Sequence, residues 1–277
     1  MKVSGWKYYN HAAIPDCEPH EEPDLKPIEN GSVWKMDRYP LLARWTSDWD
    51  CKRETEWWYE IKDEPFDISK LKSKRRYEIT KGNRNFNVVE IDTSLYVDEL
   101  LNVTKLAYEA YPKSYRPEIN IEKFTYSMKK PHYFKTYGAF SYHDNALCGY
   151  IQLDKTGQQI NLIVMKAIPM QERNGINAAM IYKVLSDLSD HLKYGYICDG
   201  HRSINHETAF QDYLEKYFGF RKAYCNLHIR YRTWFGIVMG ILKKGQCIIN
   251  KFNKNKIGHM ITVLLEMDRI ARTANEK

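Results

Sequence analysis

Residues 159–188 read QINLIVMKAIPMQERNGINAAMIYKVLSDL, and their hydrophobic pattern changes period once and sharply. Positions 161–168 form a short apolar, β-branched run, whereas Ala178, Ile181, Tyr182, Leu185 and Leu188 recur at helical spacing. The stretch therefore predicts strand, loop and helix in succession. Pro169 ends the strand, and Gly175 lets the backbone turn tightly into the first helical turn. The first amides of a helix have no acceptor within it, so PMQERNGIN is a candidate cradle for a phosphate or another anion.

The same reading extends both ways. Upstream it predicts a strand at 87–91, amphipathic helices at 95–111 and 121–130, and a hairpin of strands 134–142 and 147–153 across HDNA. Downstream it predicts a helix at 176–190, a strand at 194–198, a helix at 206–217 and a strand at 222–231. Before residue 87, positions 41–46 and 55–62 look like two strands around the polar turn SDWDCKRE. Ser69 is then the expected N-cap of a helix over 70–81, closed by Gly82. Lys70, Lys72, Lys74, Arg75 and Arg76 make one face of that helix basic, either a solvated face or a phosphate-contacting one. Prolines at 15, 19, 23 and 27 forbid an ordinary helix near the N-terminus, while Trp6, Tyr8, Tyr9 and Trp34 predict packing, so an extended arm is expected there.

This order of elements resembles the GNAT acyltransferase superfamily. Its loop pattern is Gln/Arg-x-x-Gly-x-Gly/Ala; here Glu172 stands at the first position, Gly175 at the glycine and Asn177 where Gly or Ala is usual. DYLEKYFGF, at 212–220, resembles the family's segment before the last strand, and the basic helix ending in GNRNF is similar to FemAB-like and polysaccharide-locus branches. The resemblance implies an α/β (α+β) fold: a GNAT-like mixed central sheet flanked by helices, with an N-terminal extension and a C-terminal helical segment. It places an arm and β-hairpin at 1–68, the acyltransferase domain at 69–233 and a basic helical segment at 234–277. It further implies an acyl-CoA donor held by Ile168, Arg173, Asn174, Gly175, Ile176 and Asn177, with Asn205 near the CoA arm. A FemAB-type enzyme would instead use aminoacyl-tRNA, and a scaffold with an altered loop would only bind. The acceptor class implied is a small molecule or glycan, such as a polysaccharide or cell-envelope precursor.

Acyl transfer to an amine needs a base for the acceptor's proton and an acid for the leaving group. In the resembled family the acid is often a Tyr on the last helix, a position that the resemblance puts at Tyr213 counting from His206 and at Glu215 counting back from Gly219; a phenol can donate a proton, whereas an ionised Glu cannot. In CDGHRSINHE, expected as the loop after strand 194–198, His201 is the candidate base because an imidazole titrates near neutrality. Arg202 and Asp199 are candidate substrate-binding residues.

Composition limits the alternatives. The six cysteines, at 17, 51, 148, 198, 225 and 247, show no CxxC pair and no zinc-ligand spacing, so no metal site is expected. No apolar run is long enough to span a bilayer and MKVSGWKYYN lacks the core of a signal peptide, which predicts a cytoplasmic protein. Of the net charge of +7, the part from residue 221 onward holds twelve Lys/Arg against three Asp/Glu. Two helices are expected there, at 234–242 and 257–270. They read as a cap on the core, a dimer contact, or a patch for an anionic membrane surface, with Trp234, Phe235 and Phe252 beside Lys243, Lys244, Lys251, Lys254 and Lys256.

Overall fold

The computed structural model describes residues 2–111, 116–204, 209–244 and 256–275. In chain order its strands are β1 (Trp6–Tyr9), β2 (Ala12–Pro15), β3 (Leu42–Ser47), β4 (Trp57–Lys62), β5 (Phe86–Glu90), β6 (Lys135–Ser141), β7 (Leu147–Thr156), β8 (Gln159–Ala167), β9 (Tyr196–His201) and β10 (Arg221–Tyr231). The helices are α1 (Lys26–Glu29), α2 (Ser73–Asn85), α3 (Val97–Glu109), α4 (Ile121–Lys129), α5 (Pro169–Glu172), α6 (Ile176–Asp187), α7 (Ala209–Phe218), α8 (Thr233–Lys244) and α9 (Lys256–Asn275).

Contacts divide the chain into two compact units that do not follow sequence order. One comprises residues 61–200 and 209–221; the other holds residues 1–60, 201–204 and the described chain from 222. The boundaries expected at 1–68, 69–233 and 234–277 give way to this division because β10, laid down late, pairs antiparallel with β3, from Asn226 opposite Ser47 to Tyr231 opposite Leu42.

In the second of these units the strand order is β1-β2-β3-β10-β4. The expected hairpin of 41–46 and 55–62 is therefore absent: β10 lies between the two strands. Trp6, Ile28, Val33 and Met36 are buried with Ala13 and Ala43 in a cluster of their own, and the Trp6 indole donates to the Asp24 carbonyl at 2.9 Å. The helices α8 and α9 cover β2, β3 and β10 through Phe235, Met239 and Leu265, packed on Ala12 and Leu42.

The other unit carries the order β9-β8-β7-β6-β5. Strands β5 to β8 form an antiparallel meander, and β8 pairs with β9 in parallel. Alternation along β7 sends Ile151 and Leu153 to one face and Tyr150 to the other. The first face is covered by α6, by Ile79 of α2 and by Leu214 and Phe218 of α7; the second by Leu100 and Val103 of α3 and Met128 of α4. A buried hydrogen bond of 2.7 Å joins Thr104 Oγ1 to the Tyr150 hydroxyl on that second face.

Three local differences from the sequence reading matter. Asp67, not Ser69, caps a short 3-10 turn, accepting the Ser69 amide at 2.9 Å, and α2 begins only at Ser73. Gly82 lies inside α2, which runs on to Asn85. Strand β9 continues through Asp199 and His201, so those residues sit on a strand instead of the loop after it.

The decisive feature is how little β8 and β9 pair. Only Gln159–Tyr196, Ile160–Ile197 and Asn161–Cys198 are in register, while β8 stays bonded to β7 as far as Ala167. Past Asn161 no strand among the described residues pairs with the edge of β8 away from β7, and a cleft opens. Ile160 is 0% exposed at the last paired stretch, whereas Ile163, just beyond it, is 49% exposed. Urea unfolding should show Ile160→Ala losing about 2–5 kcal/mol and Ile163→Ala about 0.5 kcal/mol or less.

Candidate functional site

The loop between β8 and α6 is shaped by its contact with α2. Gly175 adopts φ +85°, which an L side chain rarely tolerates, and its amide donates to the Glu172 carbonyl at 3.0 Å. Gly82 lies directly against it: a Cβ there would run into the Gly175 carbonyl oxygen and stand 3.1 Å from the Ala179 amide nitrogen. Beside this backbone contact, Lys81 Nζ donates to the Arg173 carbonyl at 2.7 Å and Asn85 Nδ2 to the Asn174 carbonyl at 3.0 Å. The carbonyls of 173–175 are thus engaged by α2 and by α6, whose first intrahelical bond is from Ala179 N to Gly175 O at 3.0 Å. The amides of Ile176, Asn177 and Ala178 precede that bond and have no acceptor within the helix.

Two cavities adjoin this loop, and Glu172, Asn177 and Phe210 are walls of both. The first, about 300 Å³, is the cleft beyond the β8–β9 pairing, lined also by Leu162, Met165 and Lys166 of β8, Tyr111 and Asp199. The second, about 660 Å³, is lined by Lys74, Tyr77, Glu78 and Lys81 of α2, by Arg173 and Gly175, and by Tyr213 of α7.

In the first cavity burial pushes the Asp199 carboxyl up to about 7, against the opposing effect of a hydrogen bond with Gln211. The Lys166 ammonium lies 4.8 Å from the Tyr108 ring centre and donates to the Tyr111 hydroxyl at 3.3 Å. A carboxyl poised near neutrality in a cleft is the arrangement that a general base requires. In the second cavity, burial and then the neighbouring Glu78 charge raise the Tyr213 phenol above its ordinary value, so it stays protonated. Its ring packs on Phe210, Tyr217 and Phe218.

The residues singled out from sequence fall into groups. Gly175, Arg173, Asn177 and Tyr213 share the larger cavity, and Asp199 shares the smaller one with Asn177. Ile176 is wholly buried, and Ile168, whose amide donates to the Cys148 carbonyl at 2.8 Å, packs partly buried against the core. Asn174 is held by Asn85 and, at 2.8 Å, by the Gln171 side chain. Asn205, His206, Lys251, Phe252 and Lys254 lie outside the described residues.

His201 is corrected as a base. It belongs to the other unit, where its ring stacks on Trp57 at 4.8 Å and meets the edge of Tyr59 at 6.1 Å. Burial, followed by the Arg44 charge, lowers its pKa to about 4, too weak a base for proton transfer at neutral pH. Arg202 is corrected likewise as a substrate anchor: its guanidinium donates to the Glu56 carbonyl at 2.6 Å and lies 4.7 Å from the Trp58 ring. Phe210, Lys166 and Tyr111 were not singled out from sequence; a lysine inside the apolar run at 161–168 was the one visible signal. Among the described residues no group of three His, Cys, Asp or Glu side chains could hold a metal.

No family model matches the chain, and no curated protein matches it. Solved structures do. The chain is similar to the C-terminal DUF2156 domain of a protein named as a lysylphosphatidylglycerol synthetase from Agrobacterium fabrum, with TM-score 0.50 and 10% identity over 84% of this chain and 82% of that one. It is similar to FemX, with TM-score 0.51 and 8% identity over 72% of this chain and 74% of that one. A conserved protein of unknown function from Bacteroides thetaiotaomicron gives TM-score 0.50 and 13% identity over 77% and 78%. At these identities the likeness is one of fold, and that fold is the GNAT-like, FemAB-like one implied by the order of elements.

The contact of Gly82 with Gly175 gives a direct test. Gly82→Ala should destabilise the protein by about 1–3 kcal/mol in denaturant unfolding, because the methyl meets backbone, which cannot yield as a side chain can.

Proposed function

We propose that this chain transfers an acyl group from an activated, phosphate-bearing donor to an amine or hydroxyl acceptor. The observation that carries the reading is the Asp199 carboxyl, held near neutrality on the wall of the cleft where β8 and β9 part. In this reading Asp199 takes the proton of the attacking amine or hydroxyl, whose nitrogen or oxygen then bonds to the acyl carbon. The bond from that carbon to the leaving group breaks, and Tyr213 supplies the leaving group's proton. Acceptor and donor occupy the smaller and larger cavities and meet beside their common walls, Glu172, Asn177 and Phe210.

Charge distinguishes the donors. Lys74, Lys81 and Arg173 on the larger cavity suit phosphates, and the first amides of α6 suit one placed at the loop. A pyrophosphate seated tightly there, as acyl-CoA would require, meets the Glu172 carboxylate and the Asn177 side chain on the cavity wall. Lys70, Lys72, Lys74 and Arg76 are all exposed within one short stretch of chain, a run of cations that suits an extended phosphate backbone. These features favour aminoacyl-tRNA over acyl-CoA. The likeness to a domain of a protein named for lysylphosphatidylglycerol synthesis supports an aminoacyl group as the one moved. For the acceptor, the family resemblance supplies a polysaccharide or cell-envelope precursor.

Calorimetry with CoA and with total tRNA tests the donor. CoA should bind more weakly than about 100 µM, Glu172→Arg with Asn177→Gly should tighten it about tenfold, and tRNA binding should weaken steeply with salt. Micromolar CoA affinity in the unmodified protein overturns the choice of donor.

A pH profile tests the base. Transfer should rise as pH passes about 7, because Asp199 works as the carboxylate and is protonated below that value. Asp199→Asn should lower kcat by about 10²–10⁴ and abolish that limb. An unchanged profile removes Asp199 from the chemistry.

A further inference from the structure

We propose that the outer face of α8 docks on an anionic lipid surface. The helix is apolar on two opposite sides. Its inner side, Phe235 and Met239, is 9% and 0% exposed and packs on Ala12, Leu42 and Leu265. Phe235 is therefore not part of the exposed patch that the sequence suggests. The outer side carries Trp234, Ile237, Val238 and Ile241, at i, i+3, i+4 and i+7, exposed by 52%, 65%, 37% and 67%. A helix face turned to water ordinarily carries polar residues, so four large apolar side chains in one stripe call for a covering partner.

Charge decides which partner. No carboxylate lies anywhere on α8, and its two charges, Lys243 and Lys244, stand together at its C-terminal end. Lys243 is committed to Asp268 at 2.8 Å; Lys244 is exposed. The chain from residue 221 carries twelve Lys/Arg against three Asp/Glu. A second copy seated stripe to stripe about a two-fold axis brings no carboxylate of its own α8 to Lys244, because the helix carries none. An anionic bilayer instead offers hydrocarbon for the stripe, a head-group level for the Trp234 indole and negative charge for Lys244. Twelve residues of helix span about 18 Å, short of a bilayer core, so α8 lies in the interface plane. No described helix is long and apolar enough to cross a membrane.

Sedimentation of the full chain with phosphatidylcholine vesicles, with and without phosphatidylglycerol, tests the proposal. The chain should pellet only with the anionic vesicles, and less as salt rises. Trp234→Ser, Ile237→Asn and Ile241→Asn combined should cut binding at least about tenfold without lowering the melting temperature, since all three side chains are exposed. Ile237→Asn alone replaces the triple variant if that does not fold, and Lys244→Glu should reduce binding at least about fivefold. Three results overturn the proposal: no pelleting with either vesicle, binding unchanged in the apolar variants, or a dimer in sedimentation velocity that those variants dissociate.

Discussion

The parting of β8 from β9 after three registered pairs is the constraint on which the site depends. Had the two strands stayed paired, the amides and carbonyls along β8 beyond Asn161 would be satisfied by β9 and no cleft would exist. β8 remains bonded to β7 through Ala167 while its other edge is released. Lys166 and Asp199 then face the same space from different strands.

Burial sets the protonation of the titratable groups along β9. Asp199 and His201 are two residues apart on one strand, and burial acts on both, in opposite senses for an acid and a base. It raises the carboxyl into the range useful for proton transfer and lowers the imidazole out of it. Stacking on Trp57 makes His201 a packing ring in its own unit.

The larger cavity rests on backbone meeting backbone. Where α2 crosses the loop, neither Gly82 nor Gly175 has room for a side chain, and this closeness lets Lys81 and Asn85 hold the loop carbonyls. The same approach brings Lys74 and Tyr77 of α2 into one cavity lining with Tyr213 of α7. A helix whose sequence suggests only a charged surface is thus one wall of the site.

Much of the architecture was legible in the sequence, because each element of the larger unit carries its own periodicity: β8 and α6 in 159–188, the α3 and α4 helices, and the β6–β7 hairpin across HDNA. The helix that opens after Gly175 also followed from local pattern. Pairing partners did not follow, since β3 and β4 look like a hairpin by proximity while β10, more than 150 residues later, takes the place between them. Nor did the exchange of roles between His201 and Asp199. An unperturbed imidazole is the better base on paper, but a pKa belongs to its surroundings, and only the tertiary structure decides which group is desolvated beside a cleft and which is closed against an aromatic ring.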